Sequence, residues 1–553
     1  MYHVIVSYCR LLPLLLLLAS VALVSACDDN AATTWEHEYT DDNDYPPIPC
    51  PDEDNDGYTD LACGGTDCVD SDPSIHPGAD EDCNGIDNDC DGIPADSEVD
   101  FDGDGFWECQ GDCNPTDPSV HPDAYDICGD IIDNNCDGWV DNTPVPDLEL
   151  PGFILGIGNA KTGDVPYLLD MGISWVRPSL TWKEIEPEIF QKDLAVNQVR
   201  SDPQMVEAYS LGRDWSSYDE DLKAFTDAGI TPLPVIGHGY GSNHPDYQDR
   251  RASPDVLGKQ NYLGHIYLAV RATVERYDGD GYLDNPYGIE LKLYQIENEL
   301  NQAYFTSLWG WREPQGIEDL FNAWSDWDFL TELLATLNTA VKDSNPETMT
   351  TMNFHTDVHD DLCRALNIPT WPESITLWRD LVDIVGIDAY PNYYLPEPVR
   401  GTDVGERVAT AYECGCGKPV IILECGYPNG PDIRGFDTLL QAQFIDEAFH
   451  SAYDAGVIGF FNWGMEWNGH TGVEITPEDL EALELLGTAF DEGDILTLLV
   501  YALTHVEYMT GHFLDVLKTV EPFWGIIDSE LGPFEGYDVL KTIAQEVAQK
   551  HES

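Results

Sequence analysis

The sequence predicts an α/β protein, a (β/α)8 TIM barrel preceded by a small disulfide-rich module with calcium-binding loops. Three observations carry this prediction. Beyond residue 150, apolar β-prone runs alternate with helix-period segments, as in parallel sheets built from crossover helices. Before residue 142, two sets of four cysteines accompany acidic loops that contain glycine. No glycine-rich dinucleotide or phosphate loop follows any run, which argues against an open doubly wound sheet.

The size and charge of the chain limit the possible functions. At 553 residues it is too long for one small core, so two or more domains are expected. It carries 103 acidic and 25 basic side chains, a formal net charge of −78. Because this charge repels phosphates, nucleic acid is not expected as a partner. The acidic excess is concentrated N-terminally, since no Lys or Arg occurs between Arg10 and Lys161.

Residues 1–26 have the pattern of an export signal. Arg10 precedes an apolar run at residues 11–24 that is too short for a good membrane span. The following VSAC resembles the bacterial lipobox, which implies lipidation of Cys27 and anchoring at the cell envelope of a bacterium, periplasmic or on the surface. An ordinary signal peptide with an incidental cysteine is the alternative. Residues 27–49 are polar and acidic, as a tether would be.

Residues 50–142 contain two copies of one pattern, offset by about 45 residues. Each copy has two D-x-[DN]-x-D-G loops, in which oxygen-bearing side chains at alternate positions are followed by a glycine turn. This suits Ca²⁺, which takes about 6–8 oxygen ligands. The candidate ligands are Asp52, Asp54 and Asp56; Asp87, Asp89 and Asp91; Asp100, Asp102 and Asp104; and Asp133, Asn135 and Asp137.

These loops differ from EF-hands. The twelfth position from Asp52 is Cys63 and that from Asp100 is Gly111, where an EF-hand has a bidentate Glu. The two copies instead resemble the MopE-like metal-binding repeats of bacterial surface proteins, and more distantly the calcium loops of thrombospondin type 3 repeats. The MopE name suggests copper, but apart from one histidine in each copy the sequence offers no soft ligands for it. We therefore predict structural Ca²⁺.

The cysteines of this module predict disulfides rather than thiolate ligands, because the chain is expected to be exported. Connectivity cannot be deduced from sequence, and Cys50 has no counterpart. The local candidates are Cys63 with Cys68, Cys83 with Cys90, Cys109 with Cys113, and Cys128 with Cys136. Since large apolar residues are few, the module is expected to need metal and disulfides to fold, and we interpret it as a metal-stiffened spacer.

Eight strand-like runs follow within residues 150–553. They are residues 153–158, 173–177, 232–238, 293–299, 348–355, 383–390, 419–424 and 457–463. Helix-period segments separate most of them, which fits a (β/α)8 barrel with long loops. The functional residues of such a barrel lie at the carboxyl ends of its strands.

Two of these runs end in a glutamate. The fourth run ends in Asn298-Glu299, and the seventh ends in Glu424. A carboxylate at a buried strand end is costly unless it is solvated, paired or functional. The ends of the fourth and seventh strands face each other across a barrel mouth, so the two carboxyls are placed to flank a glycosidic bond. A chance pair of acids is the alternative.

On these residues the barrel resembles the clan A glycoside hydrolases, which retain anomeric configuration. The resemblance implies that Glu299 is the acid/base and Glu424 the nucleophile, that an extracellular oligo- or polysaccharide is the substrate, and that catalysis needs no cofactor. Asn298 matches the residue that precedes the acid in that clan, and Arg177 matches the arginine that supports the nucleophile. Other matches are His238, Tyr390 and Trp463, and we interpret His355 and Asp388 as supports.

These roles set physical expectations. As an acid, Glu299 should have a pKa raised by its apolar strand end or by Glu424, whereas Arg177 should keep Glu424 ionised. Asn298 would hydrogen-bond the sugar 2-hydroxyl. Retention requires carboxyls about 5–5.5 Å apart, and inversion about 6.5–9.5 Å. Candidate sugar platforms are Trp463, Trp182, Tyr240 and Trp467.

Two other functions stay open at this point. One is a non-catalytic carbohydrate-binding or adhesive surface lipoprotein with a calcium-binding spacer. The other is a structural surface protein that mainly binds cations. The long segments between the runs determine the shape of the cleft, so the sequence leaves the sugar, the linkage, and endo or exo action undecided.

Overall fold

In the computed structural model the chain separates into two compact units, one within residues 22–146 and one within residues 147–553. The structure describes residues 52–79, 86–90, 92, 100–122, 124, 132–136, 152–180, 182–185, 193–237, 254–303, 323–357, 363–364, 368–390, 395–467, 473–491, 494, 497, 500–501, 504–509, 512–517, 519, 523–528 and 532–552. The predicted signal peptide, Cys27 and the tether lie outside these residues. The predicted domain boundaries stay predictions.

A parallel sheet of nine described strands forms the centre of the larger unit. The strands are β1 (Ile154–Gly158), β2 (Trp175–Arg177), β3 (Thr231–Pro232), β4 (Val235–Ile236), β5 (Leu293–Ile296), β6 (Met349–His355), β7 (Ile384–Ala389), β8 (Val420–Cys425) and β9 (Gly459–Trp463). Their spatial order is β3-β2-β1-β9-β8-β7-β6-β5-β4. Each lies in one of the eight predicted runs or within a residue of it.

The two ends of this order are adjacent in the chain. β3 and β4 belong to one extended run, residues 231–236, in which β3 pairs with β2 and β4 pairs with β5. Pro232 and Pro234 have no N–H to donate, which explains why the run is divided into two short strands. The strands therefore form eight runs that close into a barrel, as predicted.

Apolar side chains fill the barrel on both faces of its strands. The interior cluster is Ile154, Trp175, Leu233, Leu293, Ile384, Ile421, Leu423 and Phe461. A larger cluster lies between the strands and the surrounding helices. Burial on both faces explains why the strands are continuous apolar runs rather than alternating ones.

Most of the described α-helices pack around the sheet, and the helices of residues 477–517 form a separate apolar cluster. They are Val165–Met171, Trp182–Ile185, Val196–Ser201, Pro203–Leu211, Ser216–Asp227, Pro254–Leu257, Lys259–Tyr277, Trp327–Ser344, Trp371–Trp378, Asp403–Cys414, Thr438–Asp454, Pro477–Asp491, Val506–Met509, His512–Leu517 and Glu535–Glu552. A small sheet joins β10 (Glu466–Trp467), β11 (Ile527–Asp528) and β12 (Gly532–Pro533) before the last helix. Among the helices described here, none has the length and apolar character needed to span a bilayer.

The smaller unit consists of two equivalent repeats. Short 3-10 turns, Leu61–Cys63 and Glu108–Gln110, occupy corresponding positions. Tyr58 stacks on His76 in the first repeat and Phe106 stacks on His121 in the second, each with ring centroids 5.1 Å apart. The buried aliphatic side chains described here are one per repeat, Ile75 and Val120. So small a core agrees with a module stabilised by cross-links.

The disulfides correct the predicted pairing. Cys68 is bonded to Cys90 and Cys113 to Cys136, with Cα atoms 5.5 and 5.6 Å apart. All four predicted local pairs are therefore wrong, because each contains one cysteine that is bonded to a different partner. The predicted pairs were Cys63–Cys68, Cys83–Cys90, Cys109–Cys113 and Cys128–Cys136. Each repeat folds its second acidic loop back onto its first half, so that neighbours in space are 22 or 23 residues apart in sequence. Closing this longer loop restricts the unfolded chain more than a local bridge would.

Candidate active site and metal-binding loops

The turn after β5 projects from the carboxyl end of the barrel. Glu297 and Glu299 have φ angles of 66° and 47°, a left-handed conformation that is uncommon outside glycine and is concentrated at functional sites. The backbone N–H of Glu299 donates to Asn353 Oδ1 at 3.0 Å. The Gln295 carboxamide donates to the carbonyl of Glu297 at 2.8 Å. Side chains of β5 and β6 thus hold the turn in place.

Arg177, the last residue of β2, connects β5 with β8. Its Nη1 donates to Glu424 Oε1 at 2.8 Å, and its Nη2 donates to Asn298 Oδ1 at 2.6 Å. Its Nε donates to Gln295 Oε1 at 2.5 Å. The guanidinium is buried, with all three nitrogens hydrogen-bonded. One cation therefore orients both Glu424 and the asparagine beside Glu299.

Glu424 receives a second hydrogen bond from Tyr390, whose hydroxyl donates to Oε2 at 2.8 Å. Burial, followed by the charge of Glu424, raises the pKa of Tyr390 well above its usual value, so the hydroxyl keeps its proton. Burial also raises the pKa of Glu424, while Arg177 and Tyr390 act in the opposite direction. Both carboxylate oxygens of Glu424 are thus fixed by donors that favour its ionised form.

Trp463 ends β9 beside this cluster. Its ring centroid lies 5.8 Å from the guanidinium carbon of Arg177. Gly158 makes room for the indole, because a Cβ there would lie 2.6 Å from the ring. Trp182 is 2 % exposed and packs against Tyr262, so its proposed platform role is wrong and it belongs to the core. His238, Tyr240 and the side chain of Trp467 lie outside the described residues.

Glu299 forms a half-buried ion pair with His355. Its Oε1 lies 2.7 Å from His355 Nδ1, and its Oε2 accepts a hydrogen bond from Gln302 at 2.8 Å. Burial favours the neutral forms, but the mutual attraction outweighs it: the pKa of Glu299 falls to about 2 and that of His355 rises to about 9. The expectation that its surroundings raise the pKa of Glu299 is therefore wrong. The sequence did not reveal that His355 reaches this carboxylate.

Asp388 adds a third carboxyl group to the site. It is fully buried, and Asn353 Nδ2 donates to its Oδ2. Burial, together with the charges of Glu424 and Glu299, raises the pKa of Asp388 well above its usual value, which favours the protonated form of this carboxyl. One possible metal-ligating atom from each of Glu299, His355 and Asp388 lies within 4.8 Å of the other two. The direct contact of Glu299 with His355 leaves no space for a metal ion between those two atoms.

Three amide side chains of the site were not predicted from the sequence. Gln295 Nε2 donates to Asn353 Oδ1 at 2.6 Å, and Asn353 Nδ2 donates to Asn298 Oδ1 at 3.0 Å. Gln295 and Asn353 are fully buried, and Gln302 contacts Glu299 from the 3-10 turn Leu300–Gln302. The sequence does contain a signal for two of them, because Gln295 in LYQI and Asn353 in TTMNF are polar residues within apolar runs.

The first acidic loops of the two repeats have the same internal hydrogen bonds. In the first repeat, carboxylates of the loop accept backbone N–H groups of Asn55, Asp56, Gly57 and Tyr58. Corresponding bonds occur at residues 103–106. Within the described residues, one oxygen in each of four carboxylates is buried without a hydrogen-bond partner; these are Asp54, Asp56, Asp102 and Asp104. Inward carboxylate oxygens of this kind suit a hard cation.

Asp67 and Asp112 add one buried carboxylate to each repeat. Their exposures are 0 % and 2 %, and the Oδ2 atom of each has no hydrogen-bond partner in the described part of the chain. Burial and the charges of Asp56, Asp67 and Asp52 raise the pKa of Asp54, which indicates that these carboxylates face one another. Neither Asp67 nor Asp112 was among the predicted ligands.

The second acidic loops are described in part. Asp87 accepts the backbone N–H of Gly92 at 3.0 Å. Asp89, Asp133 and Asn135 are also described, whereas Asp91 and Asp137 lie outside the described residues. The disulfides at Cys90 and Cys136 fix both loops to the first half of their repeats.

Comparison with known proteins covers the repeats by sequence and the barrel by fold. The family described as "Putative metal-binding motif", Cu-binding MopE, matches residues 67–96 and 112–142. These ranges begin at Asp67 and Asp112, and the loops at Asp52 and Asp100 lie before them. The repeats thus contain a metal-binding motif. No curated protein matches the chain.

Three of the solved structures that match the chain are glycosidases by name. A family 39 glycoside hydrolase from Bacteroides cellulosilyticus is 15 % identical, covering 71 % of this chain and 63 % of its own, with a TM-score of 0.38. An exo-β-1,4-mannosidase from Opitutaceae bacterium strain TAV5 is 12 % identical, with coverages of 72 % and 60 % and a TM-score of 0.42. A GH2 β-galacturonidase from Eisenbergiella tayi is 13 % identical, with coverages of 71 % and 51 % and a TM-score of 0.37. This chain therefore spans less than two thirds of the length of each.

Proposed function

We propose that the barrel is a retaining glycoside hydrolase that acts on an extracellular oligo- or polysaccharide. One observation carries the proposal: the buried guanidinium of Arg177 contacts both Glu424 and Asn298, the residue next to Glu299. Cleavage of a glycosidic bond needs two carboxyl groups with different protonation states on either side of it. Arg177 keeps its charge beside Glu424, whereas His355 holds a proton that it can transfer to Glu299, so the two glutamates can differ in protonation state during the reaction.

In the first step, Glu424 attacks the anomeric carbon as the glycosidic bond to the leaving oxygen breaks, which forms a glycosyl-enzyme ester. Arg177 and Tyr390 hold one carboxylate oxygen each, so the nucleophile is oriented before the sugar arrives. Arg177 also offsets part of the burial that disfavours the ionised carboxylate.

The proton for the leaving oxygen comes from the Glu299–His355 pair. Before a substrate binds, the pair would share one titratable proton, held by His355. When a substrate displaces solvent from Glu299, this proton crosses the 2.7 Å contact to the carboxylate and passes to the leaving oxygen. In the second step, Glu299 takes a proton from the attacking water, and the ester to Glu424 is hydrolysed. Each cycle returns the proton to the pair.

Asn298 is prepared to contact the sugar. Its Oδ1 accepts hydrogen bonds from Arg177, Gln295 and Asn353, which fixes the direction of its amide group. The amide nitrogen is then the remaining polar atom of the side chain, and it can donate to the sugar 2-hydroxyl. Trp463, held over Gly158, offers an apolar face for a sugar ring.

Two substitutions test the assignment on a panel of 4-nitrophenyl glycosides in both anomeric series. Glu299→Gln and Glu424→Ala should each lose most of the activity, while circular dichroism remains that of the wild-type protein. Near-full activity in either variant would contradict the proposal. A substitution in a half-buried ion pair outside the site, Arg276→Lys beside Asp219, serves as the control and should keep its activity.

The ion-paired state of Glu299 favours a second candidate, a non-catalytic carbohydrate-binding or adhesive surface protein. A carboxylate with a pKa of about 2 has no proton of its own to donate. This candidate predicts glycan binding without product formation on the same panel. Detection of released sugar that depends on Glu424 would exclude it.

We infer that each repeat binds Ca²⁺. In the first repeat, the inward oxygens of Asp54, Asp56 and Asp67 support this inference, and Asp102, Asp104 and Asp112 do so in the second. Asp67 and Asp112 take the place of the twelfth ligand that the loops lack by comparison with EF-hands. In the described part of the repeats the two histidines stack on aromatic rings and lie in no cluster of soft ligands, which favours a cation that prefers oxygen ligands over copper.

We also propose that the protein is exported and anchored to a bacterial membrane through Cys27. The sequence resemblance to a lipobox supports this proposal. Expression of Cys27→Ala in a bacterial host should move the protein from the membrane fraction to the soluble fraction. An unchanged distribution would contradict lipidation at this cysteine.

A further inference from the structure

The barrel contains another acidic loop, which was not recognised in the sequence. The barrel loop, DGDGYLDN at residues 278–285, connects the helix Lys259–Tyr277 to β5, the strand that leads to Glu299. In it, the backbone N–H of Asp280 donates to Asp278 Oδ1 at 3.3 Å, and that of Tyr282 donates to Asp280 Oδ1 at 2.7 Å. The same two bonds occur in DNDGY of the first repeat and DGDGF of the second.

The backbone of the three loops agrees as well. In the barrel loop, Gly279 and Gly281 have φ angles of 76° and 95°. The corresponding angles are 69° and 104° in the first repeat and 87° and 97° in the second. A turn found in both metal-binding repeats thus recurs inside the barrel, far from them in sequence.

Three carboxylates converge at this loop. One oxygen from each of Glu275, Asp278 and Asp280 lies within 4.8 Å of the others. Glu275 is 6 % exposed and Asp278 is 2 % exposed. Asp278 Oδ2 is buried and has no hydrogen-bond partner in the described part of the chain. Such an oxygen costs free energy unless a ligand or a cation satisfies it.

The charges around the cluster do not balance. Burial and the charges of Asp280, Glu275 and Asp284 raise the pKa of Asp278 to about 6. The cation in contact is Arg271, whose Nε lies 3.5 Å from Glu275 Oε1. Among the described residues, three converging carboxylates thus have one guanidinium in contact, and a divalent cation would reduce their repulsion.

We propose that Glu275, Asp278 and Asp280 bind a hard divalent cation of the Ca²⁺ type within the barrel. Oxygens that ligate Ca²⁺ at about 2.3–2.6 Å lie no more than about 5 Å apart, which the spacing of this cluster meets. The donors are all oxygens, as hard cations prefer, and the exposed side of the loop leaves room for water ligands. The inference does not rest on the glycosidase proposal, and the convergent carboxylates and the unpartnered oxygen of Asp278 support it in addition to the likeness to the repeats.

The site joins the end of a helix to the start of β5. The backbone N–H of Leu291 donates to the carbonyl of Tyr277 at 2.7 Å across the base of the loop. Tyr294 of β5 is fully buried, and burial together with the charge of Asp278 raises the pKa of Tyr294 well above its usual value. The cation would therefore fix the start of β5, the strand that leads to Glu299. Its role would be structural rather than catalytic.

The test uses the full chain, stripped of metal with EGTA and dialysed against Ca²⁺. The variants are Asp278→Asn and Asp280→Asn, and the control is Glu290→Gln, which alters an exposed ion pair with Lys292 at the exit of the same loop. Each of the two variants should bind one Ca²⁺ fewer per chain than the wild type, and the control should bind the wild-type number. The Ca²⁺-dependent rise of the thermal midpoint should shrink in the variants alone.

Two results would overturn the proposal. The first is a wild-type Ca²⁺ count in Asp280→Asn, which removes an exposed carboxylate and so carries the test if Asp278→Asn does not fold. The second is an Asp278→Asn protein that is more stable than the wild type at every Ca²⁺ concentration, since that outcome would mean that the cluster is uncompensated repulsion. The variants Asp67→Asn and Asp112→Asn are measured in parallel. They distinguish the Ca²⁺ ion bound at the barrel loop from the Ca²⁺ ions bound by the repeats.

Discussion

His355 Nδ1 lies 2.7 Å from Glu299 Oε1, and this ion pair links the end of β6 to the turn after β5. The contact decides where the proton of the site resides. Glu299 is ionised and His355 is charged over the neutral range, because their pKa values are shifted to about 2 and about 9. The acid of the proposed reaction is thus a pair of residues rather than a single carboxyl group.

The pH profile of hydrolysis should reflect this pair. Activity should decline on the alkaline side as pH rises through about 9, where His355 loses the proton that Glu299 needs. In His355→Gln the proton must be held by a carboxyl alone, so the alkaline limb should move to lower pH. The measurement is kcat/KM against pH for both proteins on the best aryl glycoside. An unchanged alkaline limb in the variant would rule out the pair as the proton source.

The same pair should make stability depend on pH. The pKa of His355 is raised from 6.5 to about 9, so its contribution is complete below pH 6.5 and is lost as pH rises through 9. The pKa of Glu299 is lowered from 4.5 to about 2, so its contribution is complete above pH 4.5 and is lost as pH falls through 2. The difference in thermal midpoint between wild type and His355→Gln should therefore be largest between pH 4.5 and 6.5. A difference that is constant across the pH range would contradict the ion pair.

Arg177 should be sensitive to a conservative change. Arg177→Lys keeps the charge but cannot make three directed contacts with Glu424, Asn298 and Gln295. We expect kcat to fall by about 10²–10³-fold, because the nucleophile and the asparagine lose their shared donor. The acidic limb of the pH profile should move to higher pH, since Arg177 opposes the rise of the pKa of Glu424. Arg276→Lys, in the same assay, should change neither quantity.

The repeats should each lose one cation when their buried aspartate is changed. Asp67→Asn and Asp112→Asn remove carboxylates with oxygens that lack partners in the described residues, so each should lower the Ca²⁺ count by one. The control is Asp72→Asn, an exposed carboxylate that accepts hydrogen bonds from Ser74. Equilibrium dialysis of the full chain gives the counts. Equal counts in all four proteins would show that these oxygens bind no Ca²⁺.

The barrel was predictable because its strands are buried on both faces and appear in the sequence as continuous apolar runs. The third run was harder to define, since Pro232 and Pro234 divide it into two short strands. The glutamates at strand ends were visible in the sequence because charged residues are costly there. Their positions follow from the ends of the fourth and seventh runs.

The contacts within the site could not be predicted in the same way. His355 and Glu299 are 56 residues apart, and nothing local indicates that their side chains meet. The direction of the shift in the pKa of Glu299 depends on that contact, so the prediction from burial alone was wrong. The prediction of the disulfides failed for a related reason, because Cys68 pairs with a cysteine 22 residues away rather than with its neighbour in sequence.

The most direct test of the proposed mechanism is the anomeric configuration of the sugar product, followed by ¹H NMR with azide present. The wild type should release sugar with retained configuration. Glu299→Ala should yield a glycosyl azide of retained configuration, because azide attacks the ester on Glu424. Glu424→Ala should yield the inverted azide, because azide replaces the missing nucleophile. Inversion by the wild type, or the same configuration from both variants, would contradict the assignment of Glu424 as nucleophile and Glu299 as acid/base.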